Sequence, residues 1–160
     1  MQYNFNTTKS ELYIVELRPP FQRCMIQFVP ENISNPRKAN LQDVVIVGRN
    51  NEMMQYVSGS ENMTLNLDFY SDDVERKDVI KTINWLKSLT YNDGAPGSYR
   101  NVRVIFGELF KNDVWVIDSV DPDMSIFDAE NGWLPVMAKV KVSFKLDTQR
   151  NINLNDVRDR

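Results

Sequence analysis

Val136-Met137-Ala138-Lys139-Val140-Lys141-Val142-Ser143-Phe144-Lys145-Leu146 is the stretch that decides the fold class. Val136, Ala138, Val140, Val142, Phe144 and Leu146 share one parity, and Met137, Lys139, Lys141, Ser143 and Lys145 share the other. Side chains in a strand alternate between faces, so the pattern predicts a strand with one buried side and one wet, lysine-bearing side. A lysine row of this kind protects a sheet from wrong pairing. It also suits the lining of a pore or a surface matched to an acidic partner.

Working back from that strand, Asn131-Gly132 is a hairpin-turn signal leading into it. Ser125-Ile126-Phe127 reads as a short strand, separated by the breaker Asp121-Pro122-Asp123 from a longer one at Val114 to Val120. Val102 to Phe106 pairs with that longer strand as a hairpin, with Lys111-Asn112-Asp113 as the tight connection. Upstream lies a turn-rich loop, Asn92 to Ser98. Residues 72–90 read as the one helix: Ser71 or Asp72 can cap it, and Glu75 completes a capping box with Asp72. Its apolar face carries Val79, Ile80, Ile83, Trp85 and Leu86, and Arg76, Lys77, Lys81 and Lys87 lie opposite. Met63 to Tyr70 alternates, with Leu65, Leu67 and Phe69 inward.

Residues 31–53 break the rhythm: they form a long polar connection with one apolar island, Val44-Val45-Ile46-Val47, closed by Gly48. Connections this long are functional, ordered or disordered insertions, and four adjacent aliphatics argue against the last, because they need somewhere to hide. Two early strands, Glu11 to Leu17 and Arg23 to Val29, end at prolines. The expected organisation is an N-terminal extension over 1–20, one domain over 21–146 and a polar tail over 147–160. The fold class is mainly β, an antiparallel sandwich or barrel with one inserted helix.

Composition narrows the function. The 160 residues suffice for one domain with a core, and a net charge of −3 argues against a nucleic-acid binder. No apolar run approaches the roughly 18 residues of a membrane span, so no membrane anchor is expected. The single cysteine, Cys24, lies in a strand-like run and reads as a buried structural thiol. There is no histidine, which removes the commonest general base and metal ligand. Asp118, Asp121, Asp123, Asp128 and Glu130 cluster as calcium ligands do, but their spacing misses the calcium-loop motif, so they read as solvated loop acids. Of three tryptophans, Trp85 reads as core, Trp115 faces away from Val114 and Val116, and Trp133 follows a turn glycine. No cofactor, metal or catalytic residue is expected.

The order "Leu-x-Leu-x-Phe-Tyr-Ser, acidic helix start, Val-x-Val-Ile-Phe-Gly, Val-x-Val-Ser-Phe", carried by Leu65 to Ser71, Asp73-Val74, Val102 to Gly107 and Val140 to Phe144, resembles the tube domain of contractile injection systems and contractile phage tails. With the early strand Met25 to Phe28, the resemblance covers residues 21–146. That domain is typically followed by a peptidoglycan-binding LysM module. The chain ends soon after Leu146 and carries about twenty residues before the resemblance begins, which leads to the expectation of a short, dedicated baseplate or tube-end protein. The resemblance implies two packed antiparallel sheets with a helix alongside. It also implies a homo-oligomer of six copies that joins sheet edges around a channel. The partners implied are neighbouring tube and baseplate proteins, with DNA or cargo only in passage, and the location is a virion tail assembled in the bacterial host cytoplasm. Under it, Val44, Val45, Ile46 and Val47 make subunit contacts, and Lys139, Lys141 and Lys145 face the lumen. The alternative is a monomeric β-sandwich that binds carbohydrate through Trp133 and an acidic loop at 118–130.

Overall fold

The computed structural model describes residues 11–72, 74, 76–92, 94, 99–110 and 113–147. The expectations for Asp73, Glu75, Lys111, Asn112 and most of the loop at 92–98 lie outside these residues, as do the first ten residues and the tail beyond Asp147.

Among the described residues the protein is mainly β and antiparallel, with one helix, as the alternating patterns require. In chain order the elements are β1 (Tyr13–Glu16), β2 (Arg23–Met25), β3 (Ile33–Ser34), β4 (Arg37–Val44), β5 (Met53–Tyr70), α1 (Asp78–Ser88), β6 (Asn101–Ile105), β7 (Trp115–Asp128) and β8 (Leu134–Leu146). The strands hydrogen-bond in a single path, β2-β1-β6-β7-β8-β5-β3, with β4 added to β5. Among the described residues this is one continuous antiparallel sheet that does not close on itself, consistent with the expected sandwich or barrel.

One core holds it. Leu65, Leu67 and Phe69 of β5 pair with Val142, Val140 and Ala138 of β8, all on the inner face and all buried. Ile14 of β1, Val104 of β6, Trp115 of β7 and the helix residues Val79, Ile83 and Leu86 join the same cluster. At about 1.5–3 kcal/mol for each fully buried large apolar side chain, this cluster dominates the folding free energy. Cys24 packs against its edge half-buried, and burial pushes its thiol pKa up. Trp85 is half-buried and donates its Nε1–H to Gln22 Oε1 at 2.9 Å.

Four expectations need correcting. The helix begins at Asp78, not near 72, because the Ser71 hydroxyl donates to Asp78 instead of capping a turn at its own position. Asp78 supplies the first-turn carboxylate and accepts the Val79 N–H at 3.0 Å. Asp121-Pro122-Asp123 does not break β7, since β6 pairs only with Trp115 and Val116 and Pro122 sits on an otherwise open edge, where a missing N–H costs no ladder bond. The short strand at 125–127 is therefore the end of β7. Met137 is 7% exposed, lying between Tyr70 and Ser125 in its cross-strand row, so the outer face of β8 becomes wet only from Lys139 onward.

The fourth correction matters most. Residues 31–53 are not a loop: they contain β3, β4 and the turn into β5. β4 pairs with the first part of β5 from Arg37↔Glu61 to Val44↔Met53, with an extra β5 residue, Val57, opposite the Asn40/Leu41 step. Among the described residues this two-stranded arm pairs with no other strand, and every residue of β4 before Val44 is exposed.

Candidate assembly surfaces

Two surfaces stand out, and neither has the form of a catalytic cleft. The first is the arm. Directly opposed residues of an antiparallel pair share a face. Ala39 with Gly59, Leu41 with Tyr56 and Asp43 with Met54 therefore form one side, and Asn40 with Ser58 and Gln42 with Gln55 form the other. The second side is polar along its middle, with Asn40 Nδ2 donating to Ser58 Oγ at 2.9 Å, and ends at the tip in the Val44–Met53 pair. The first is apolar and open: Leu41 is 55%, Met54 69% and Tyr56 58% exposed. Gly59 makes room for Tyr56 to lie flat along this side, since a Cβ at Gly59 would stand 2.6 Å from the Tyr56 hydroxyl. The island expected to make contacts sits at the tip. Val44 is half-buried, and Val45, Ile46 and Val47 are 75%, 37% and 99% exposed. Four adjacent aliphatics do need somewhere to hide, and the described residues of their own chain leave Val45 and Val47 open while covering most of Ile46.

The second surface is the outer face of β5, β8 and β7. Lys139, Lys141 and Lys145 are exposed there, as the alternation predicts. Their neighbours change the meaning of the row. Lys139 lies between Asp68 and Asp123, and Lys141 between Asn66 and Asp121. Lys145 Nζ is 3.0 Å from Asp118 Oδ1. Glu31, Asp68, Asp121 and Asp123 join Lys139 and Lys141 around a shallow hollow of about 350 Å³. With Asp118 and Lys145 added, five carboxylates face three ammonium groups, so the face is mixed with an acidic excess rather than basic. Burial pushes the Asp68 pKa up, Lys139 pulls it back and Glu31 raises it. The parity of Asn66 and Asp68 between Leu65, Leu67 and Phe69 places them on this wet face from sequence alone. The acidic β7 residues read as a loop in sequence because Pro122 stands among them.

The acidic run at 118–130 does not act as one group. Asp118, Asp121 and Asp123 spread along β7, while Asp128 closes the β7–β8 turn. It accepts from Asn131 Nδ2 at 2.8 Å, the Glu130 N–H at 3.0 Å and Arg76 Nε at 3.3 Å. The Asn131 contact is the main cause holding its carboxyl below the usual range. Among the described residues, no three His, Cys, Asp or Glu side chains are grouped to hold a metal ion. Trp133 is 69% exposed beyond this turn, with the β7 acids strung along the strand instead of gathered around it.

No family model matches the chain, and no curated protein matches it. Among solved structures, a chain from the cryo-EM structure of the anti-feeding prophage baseplate, six-fold symmetrised, is similar at 12% identity and a TM-score of 0.43, covering 94% of this chain and 96% of that one. A chain from the virion of the native gene transfer agent particle is similar at 12% identity and a TM-score of 0.41, covering 92% of this chain and 100% of that one.

Proposed function

We propose that this chain is a structural, non-enzymatic component of a contractile tail. Six copies form a ring at the junction of inner tube and baseplate, in a virion tail assembled in the bacterial host cytoplasm. The observation that carries this reading is the β4–β5 arm, which holds an apolar side and an aliphatic tip in water with no core of its own. Exposed apolar surface of this kind marks an interaction site. The open sheet supports it as well, since unpaired strand edges are satisfied when sister copies add to them and a heterologous contact closes into a ring. The sequence resemblance to tube domains supplies the choice of assembly.

In this reading Val44, Val45, Ile46 and Val47 make subunit contacts. Lys139, Lys141 and Lys145 face the channel with their carboxylate neighbours, and a mixed lining lets DNA or cargo pass without being gripped. Neighbouring tube and baseplate proteins stack on the ring. Negative-stain imaging of the purified protein, alone and with its genomic neighbours, tests this. Ring-shaped particles of six copies are expected, and only single compact particles under both conditions would refute it.

A further inference from the structure

Where the arm seats can be read from charge and pattern on the opposite end of the sheet. The outer face of β2, β1 and β6 carries a cross-strand row, Met25–Tyr13–Ile105, beside a second row, Arg23–Val15–Arg103. Met25 is 58% and Ile105 43% exposed. The inner residues of the same strands, Ile14 and Val104, are fully buried, so these rows are the outward parity and not loosened core. Arg23 stacks over the Tyr13 ring at 6.0 Å. Arg23 and Arg103 flank one valine, with no carboxylate paired to either among the described residues. Arg103 Nε is buried and has no hydrogen-bond acceptor among the described residues. A buried donor without an acceptor costs free energy, so Arg103 is incomplete as it stands.

The arm has the complement. Its apolar side places Asp43 beside Met54, and Glu52 sits at the start of the return strand; neither carboxylate has an ion-pair partner among the described residues. An apolar strip with free carboxylates in one place, and an apolar row with free guanidinium groups in another, match in both chemistry and sign. Gln27, just past β2, donates to the Tyr70 carbonyl and accepts the Tyr70 N–H, each at 2.9 Å, at the end of β5 remote from the arm. At about 3.3 Å per residue along β5, the arm and the β2 face of one copy lie a strand's length apart, so the two surfaces meet between different copies.

We propose that the apolar side of the arm of one copy docks on the outer face of β2, β1 and β6 of a second copy, with Asp43 paired to Arg23 or Arg103. The contact is heterologous: each copy gives an arm and receives one. The inference rests on the ring reading above and goes beyond it by naming the receiving surface.

Site-specific cross-linking separates the two. In a Cys24→Ala background, Leu41→Cys or Met54→Cys is combined with Met25→Cys or Ile105→Cys and treated with a flexible bifunctional maleimide, alone and with the neighbouring tail proteins. A ladder of linked copies is expected from the double variants and not from a control pair that joins Leu41→Cys to Ser88→Cys on the helix. In parallel, Asp43→Arg is expected to weaken association about tenfold, with recovery when Arg23→Asp or Arg103→Asp is added. Normal rings with neither the ladder nor any response to charge reversal would overturn this seat and leave the ring reading standing. A chain that stays single under every condition would overturn both.

Discussion

The two halves of β5 make opposite uses of the same strand. From Asn62 to Tyr70, alternate residues Met63, Leu65, Leu67 and Phe69 are at most 4% exposed, and β8 pairs along the whole length. From Met53 to Ser60 only β4 pairs among the described residues, and all but Gly59 are exposed. The inner half is held by burial, and the outer half by backbone hydrogen bonds that are worth little net against water. An isolated two-stranded ribbon is at best marginally stable, so the arm adds little to the fold. The difference teaches that Leu41, Met54 and Tyr56 are not explained by the stability of their own chain.

The largest effect that could break this contrast lies in the inner half. Leu65→Ala, at a fully buried site, should cost about 2–5 kcal/mol in denaturant unfolding. The matching change in the outer half, Leu41→Ser, should leave monomer stability within about 0.5 kcal/mol while reducing association. If both cost the same, the arm is part of the core and the contrast is wrong. On the mixed-charge face, Lys145→Ala should lower stability by about 0.2–1 kcal/mol, because its Asp118 partner is exposed and water screens the pair.

The smallest effect is a matter of pH. The folded pKa of Asp128 is lowered, chiefly by Asn131, so the ionised carboxylate favours the folded turn. That contribution is complete above the ordinary aspartate pKa and disappears as pH falls through the lowered folded value. Melting curves across this acid range should show Asp128→Asn losing less stability on acidification than the parent. Identical acid profiles would mean that the turn does not depend on that charge.

The parts of the molecule legible from sequence are those in which one face is buried. Strict alternation makes β8 readable: Ala138, Val140, Val142 and Phe144 go in while Lys139, Lys141 and Lys145 go out. The helix face with Val79, Ile83 and Leu86 is readable for the same reason. Its start reads too early from sequence, because Ser71 looks like a cap and instead bonds to Asp78. The arm is illegible, since Arg37-Lys38-Ala39-Asn40-Leu41-Gln42-Asp43 buries neither face and so carries no period. Pro122 hides β7 by resembling a breaker while occupying an edge where proline does no harm. For the candidate surfaces, the residues at the arm tip and on β8 can be named from sequence. Their partners cannot, because Asp121 and Asp123 meet Lys141 and Lys139 only through strand register.

The most direct test is native mass spectrometry of the parent beside a Val45→Ser, Ile46→Ser, Val47→Ser variant at matched concentration, with neighbouring tail proteins present. A parent species at six times 18.7 kDa is expected, beside a folded variant that remains at one. Equal assembly of the two, or a parent that stays at a single mass throughout, would contradict it.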